Sequence, residues 1–181
     1  MSQPALSRYL NDHLSGSEVA VRLLTRLCRR YARTATGRFF ADLLDDIHAD
    51  QQALRNLADR IGATRSVVKQ AAGRLAELAS RPKLRFGRNE PLGLFESLEM
   101  LALGILGKRS LWQALLRLAP TDRRLDAREL VRLDARAVAQ HTRVERRRLA
   151  MARTALGPRD RGAPSRHMAD VTPAGPGRSR A

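Results

Sequence analysis

PLGLFESLEMLALGILGKRSLWQALLRLAP, residues Pro91–Pro120, is the least polar long stretch of the chain. Wound as a helix it is apolar on almost every side, whereas the other helix-forming stretches each carry one apolar stripe and one charged face. A helix that is apolar all round is a buried one, so Leu92–Ala119 is expected to be the hub on which the others pack. Glu96 and Glu99 interrupt it and Lys108 and Arg109 follow its most apolar part. It therefore falls short of the roughly 20 apolar residues that a membrane span requires.

Outward from this hub the helical pattern recurs on both sides. Before it, Phe40, Leu43, Ile47, Asp50, Leu54, Leu57 and Ile61 follow one another at alternating spacings of three and four, which places them on one seam. Asp50 is the charged member of that seam. This second helix is expected from about Arg38 to Ile61, stopped by Gly62. Ser15-Gly16-Ser17-Glu18 reads as a capping box, with Leu14 and Val19 as its hydrophobic staple. It predicts a first long helix to about Arg33, with Ala20, Leu24, Leu27 and Tyr31 inward; Ser2–Leu14 is expected to supply only a short turn over the bundle end. After the hub, Asp126 caps a last helix running to about Leu156 with Leu130, Leu133, Ala137, Gln140, Val144 and Met151 in its stripe, and His141 and Arg148 beside the stripe centre. Thr64 caps a shorter helix, Arg65–Ala79. No strand pattern and no internal repeat occurs. The expected fold is all-α: an antiparallel four-helix bundle over residues 1–156 with a short extra helix between the second and third long ones. Gly157–Ala181, rich in Pro, Gly and Arg, buries little and is expected to be a disordered basic tail.

The formal charge is +16 over 181 residues, and Lys69, Lys83 and Lys108 are the only lysines. Such a charge suits nucleic acid, anionic lipid or acidic protein partners; an Arg- and Ala-rich composition also follows from GC-rich coding. Arg22, Arg26, Arg29, Arg30 and Arg33 line the outer face of the first helix and Arg132, Arg143, Arg146, Arg147 and Arg153 that of the last. These faces would attract a phosphate backbone nonspecifically. Aromatics make up only 4% of the chain, too few for a stacking platform, and no helix-turn-helix or zinc spacing is present. Cys28 is the single cysteine, which excludes an internal disulfide and suits a reducing compartment. The N-terminus lacks the pattern of a signal peptide, so a cytoplasmic location is expected.

Candidate chemistry is sparse. There is no glycine-rich phosphate loop. Gly104-x-x-Gly107 lies mid-helix, where small residues let a neighbouring helix approach closely. Cys28 flanks an apolar stripe and reads as a packing residue. His141 and Glu145, four apart, have the spacing of an acid–base pair, but no nucleophile is placed beside them. His48 is on a solvated face and His167 is in the tail. The chain reads as a non-enzyme.

Four amphipathic helices with in-facing acids and histidines, over about Ser17–Leu156, resemble the ferritin-like superfamily; Tyr9–Leu14, YLNDHL, is similar to the start of small uncharacterised bacterial proteins that share such a bundle. The superfamily resemblance implies iron or another divalent metal held by a Glu from each of two helices and a Glu-x-x-His from each of the other two. The chain departs from that set. Glu18 faces away from its stripe, Asp45-x-x-His48 faces outward, and the residue three before His141 is Val138. A reduced metal site would draw on Asp46, Asp50, Glu99, Asp134, His141 and Glu145. The competing reading is a buried polar layer of Asp50, Arg109, His141 and Arg148, in which Arg109 or Arg148 pairs with Asp50 and no cofactor is bound. Function then comes down to a non-enzymatic bundle acting through protein contacts, as a homodimer or with another protein, because Met100, Leu103 and Leu111 lie off the hub's main stripe and need cover, which either the short helix Arg65–Ala79 or a second subunit would supply. The alternatives are a degenerate metal-binding protein and a nonspecific nucleic-acid binder.

Overall fold

The computed structural model describes residues 3–63 and 90–158. They form four helices: α1 Gln3–Arg30, α2 Ala35–Ile61, α3 Glu90–Leu118 and α4 Ala127–Leu156. No described residue is in a strand, and no helix among the described residues is long and apolar enough to cross a membrane. The short helix expected over Arg65–Ala79 and the tail beyond Pro158 lie outside the described residues.

The first helix differs from expectation. It does not begin at the Ser15 capping box but runs unbroken from Gln3. Two local bonds reconcile Ser-Gly-Ser with a helix interior: Ser15 Oγ donates to the Asn11 carbonyl at 3.0 Å and Ser17 Oγ to that of Leu14 at 2.6 Å. Such back-bonding lets a serine stay within a helix rather than cap one. Leu6 and Leu10, both buried, anchor the added turns. At the other end α1 stops at Arg30, and Arg33 adopts a left-handed φ of 64°.

The α1–α2 turn is built tightly. Thr34 caps α2: its Oγ1 accepts from the Gly37 N–H at 3.0 Å and donates to the Tyr31 carbonyl at 2.7 Å. A Cβ on Gly37 would lie 2.1 Å from the Tyr31 carbonyl oxygen, so the turn admits only glycine there. At the far end of α2, Gly62 is left-handed (φ 73°), and the Ala63 N–H reaches the Ala58 carbonyl at 2.9 Å, the Schellman closure. Asp126 caps α4, accepting from the N–H groups of Arg128 and Glu129 at 2.8 and 3.3 Å.

All seven members of the α2 seam are buried, Asp50 included. They meet Leu10, Leu24 and Leu27 of α1, Leu98, Leu111, Trp112 and Leu115 of α3, and Leu130 and Val144 of α4 in one core. Close packing pairs α1 with α2 and α3 with α4, and α1 also touches α3. Between α2 and α4 run polar rungs: Thr36 with Arg147, Asp46 with Arg143, Asp50 with Arg136 and Gln140, Arg60 with Glu129. Each step up α2 meets a step down α4. Arg30 at the end of α1 pairs with Glu90 at the start of α3 at 3.3 Å, while Arg124, just before α4, donates to the Ile61 carbonyl at 3.1 Å. Among the described residues the hub is not covered on all sides as its sequence suggests. Leu111 is fully buried, but Met100, Leu103 and Leu106 are exposed.

Candidate functional site

The buried charge lies midway along α2. Asp50, 2% exposed, is the hub of a layer contributed by three helices. Its Oδ2 accepts from the Lys108 ammonium of α3 and, at 2.9 Å, from Gln140 Nε2 of α4; its Oδ1 accepts from Arg136 Nε of α4 at 2.6 Å. Lys108 also donates to Gln140 Oε1, so Asp50, Lys108 and Gln140 close a ring of hydrogen bonds. Burial pulls the Lys108 ammonium below the ordinary lysine range, opposed by Asp50. A buried acid with this many charge-assisted donors has its desolvation offset.

The layer is not the one the sequence suggested. Asp50 belongs to it, but neither Arg109 nor Arg148 pairs with Asp50, and Gln140 rather than His141 is the buried neighbour on α4. Arg109 Nε instead donates to Asp134 at 3.3 Å. Arg148 grips Glu145 through two bonds of 2.8 and 2.9 Å and lies over the Phe95 ring. One residue along a helix is a rotation of about 100°, and Lys108 and Gln140 each stand one position before the residue expected.

The reduced metal site finds no support in the placement of its donors. Asp46 pairs with Arg143, Asp50 with Lys108 and Arg136, Asp134 with Arg109 and Glu145 with Arg148. Glu99 is exposed, with Arg148 in its field. His141 is half-buried beside Glu145. Among the described residues no three His, Cys, Asp or Glu side chains come together as a metal would require. A cation is a poor fit to a carboxylate already held by an ammonium and a guanidinium. The same bonds answer the His141–Glu145 pairing: Arg148 holds the Glu145 carboxyl below the usual carboxylate range, so it is a weak base. The Cys28 thiol is pushed up by burial, away from reactive thiolate chemistry.

Beside the layer is a feature that the sequence did not announce. A cavity of about 250 Å³ opens between α1, α2 and α3, with Leu43, Ile47, Ile105 and Trp112 among its apolar walls and Asp50 and Lys108 at its polar side. Asp12 and His13 of α1 also border it. The His13 ring stands edge-on to Tyr9, 4.7 Å between centroids. Burial lowers its pKa from the ordinary 6.5, with Asp12 opposing. Gly16, Gly104 and Gly107 line the same space, and a Cβ built on any of them meets nothing within 4 Å. Gly104-x-x-Gly107 therefore does not serve close helix approach, as its spacing suggested; it leaves room. The available signal was Gly104 and Gly107 in a helix interior, where each costs up to about 1 kcal/mol relative to alanine; Gly16 was hidden in an apparent helix start.

Comparison of the chain with family models, with curated proteins and with solved structures finds no match.

Proposed function

We propose that the chain is a non-enzymatic helical-bundle protein that acts through protein contacts, with a second copy of itself as first partner. The observation that carries this reading is apolar surface on the hub and its hairpin partner. On α3, Leu103 is 63% exposed, flanked by exposed Met100 and Leu106. On α4, Val131, Val138, Leu149 and Leu156 are exposed at spacings of seven, eleven and seven. Those spacings return to the same side of a helix within about 20° each time, so the four residues form one outward line. Scattered exposed apolar residues are ordinary, but a line of them next to an apolar helix face is the pattern of an interface.

The frame that presents this surface is, on this reading, an antiparallel bundle of the ferritin-like kind. The rungs between α2 and α4 and the Arg30–Glu90 pair support an up-down-down-up order, in which the connection from α2 to α3 is the single long crossover of that topology. The family's central metal is replaced by the Asp50–Lys108–Arg136–Gln140 layer. A cytoplasmic setting fits the lone cysteine. Sedimentation equilibrium of the full chain tests the proposal. The wild type is expected to dimerise, and Leu103→Glu and Leu149→Glu to yield monomers of unchanged helicity. A wild type that stays monomeric at every concentration would overturn it.

A further inference from the structure

We propose that the cavity between α1, α2 and α3 binds a small amphipathic carboxylate, its apolar tail along the Ile47–Ile105–Trp112 wall and its carboxylate at Lys108. The inference does not depend on the oligomeric state.

Three observations converge on it. The first is size: about 250 Å³ stands between the roughly 150 Å³ that accepts benzene and the roughly 300–1,000 Å³ of drug-sized pockets. A medium-chain or single-ring acid is the matching class. The second is how the space is kept open. Gly16 of α1 and Gly104 and Gly107 of α3 border it, and beyond the adjoining backbone of its own helix none has an atom within 4 Å of where a Cβ would stand. Alanine would fit at each position and strengthen the helix, so close packing does not account for these glycines. Gly104 is exposed and Gly16 and Gly107 half-buried, so large side chains at these bordering positions would narrow the space.

The third is charge. In the buried layer a single carboxylate, Asp50, faces two cations, Lys108 and Arg136. The next pair out, Asp46 with Arg143, cancels itself. Lys108 is the cation on the cavity wall, with Asp50 as its buried partner, and Asp12, the other carboxylate that borders the space, is exposed to water. Lys108 spends two donors, on Asp50 and Gln140, and an ammonium has three. An apolar cavity with one donor of a buried ammonium still open at its side suits an acceptor head on a hydrocarbon body; a carboxylate pairs with that ammonium, and a cationic head is repelled by it. The indole N–H of Trp112 is also buried without a partner among the described residues.

The test uses decanoate, decanol and decylamine, which share a tail and differ in the head. Binding to the full chain is measured by equilibrium dialysis and by the emission of Trp112, the only tryptophan. Decanoate is expected to bind saturably at one per chain, and decylamine and decanol at least tenfold more weakly. Gly104→Leu on one wall and Gly16→Leu on the other are expected to weaken decanoate at least tenfold with helicity retained. Lys108→Met is expected to remove the preference for the acid. Absence of saturable decanoate binding, equal affinity for the amine, or unchanged affinity in the folded leucine variants would each overturn the proposal.

Discussion

Replacing Asp50 by alanine isolates the charged layer from the rest of the core. Three side chains lose an acceptor: Lys108, Arg136 and Gln140. Their costs are unequal. Arg136 is 37% exposed and Lys108 15%, while Gln140 is fully buried. Arg136 reaches water and contributes little. Lys108 keeps the Gln140 oxygen but is left as an uncompensated buried cation. Removing one partner of a buried pair costs about 3–5 kcal/mol; the residual exposure of Lys108 puts Asp50→Ala at the lower end, about 3 kcal/mol. A shift of roughly 6–12 °C in the melting midpoint follows for a chain of this length. Asp50→Leu combined with Lys108→Met removes both charges and replaces them with apolar volume. It leaves Gln140 short of partners, worth about 1 kcal/mol, so the double variant is expected to be more stable than Asp50→Ala by about 2 kcal/mol. Urea denaturation followed by circular dichroism reads all three proteins. A loss below about 1 kcal/mol in Asp50→Ala would refute the reasoning, since a buried, triply bonded carboxylate is not dispensable on these principles.

Two further predictions rest on single residues. Gly37→Ala forces a Cβ against the Tyr31 carbonyl and should cost roughly 1–3 kcal/mol by strain, whereas Gly104→Ala, which meets open space, should leave stability unchanged or raised by up to about 1 kcal/mol; equal urea midpoints for the two variants would contradict both assignments. His13 has a folded pKa below its ordinary 6.5, so on acidification the unfolded chain takes up this proton first and stability falls as the pH drops through that region. His13→Phe, which keeps a ring beside Tyr9, should flatten the change in urea midpoint between pH 7.5 and 5.5, and a wild-type slope retained in the variant would assign the effect elsewhere.

Much of the frame can be read from local pattern. The α2 seam is legible because alternating threes and fours allow one helical phase, and Gly62 and Asp126 mark their helix ends through backbone needs that few residues meet. The start of α1 is not legible in the same way. Ser15-Gly16-Ser17 has the preferences of a helix start, and only the bonds from Ser15 and Ser17 to earlier carbonyls, with Leu6 and Leu10 in the core, override them. Asp50 stands out in the sequence as the charge in an apolar seam. Its partners do not, because α3 is apolar around most of its circumference and so gives no phase to separate Lys108 from Arg109. Gln140 reads as a stripe position, and its role emerges only when α2 and α4 are set side by side. The cavity is a property of three helices at once. Its trace in the sequence is confined to glycines where alanine would serve a helix better.

The buried carboxylate in the middle of this bundle is held by the protein's own cations, Lys108 and Arg136, which leaves it a poor ligand for a metal. Elemental analysis of the full chain, purified without an affinity tag and dialysed against iron, manganese or zinc, tests it most directly. No stoichiometric metal is expected in the wild type. One equivalent bound by the wild type and lost in Asp50→Asn would contradict it.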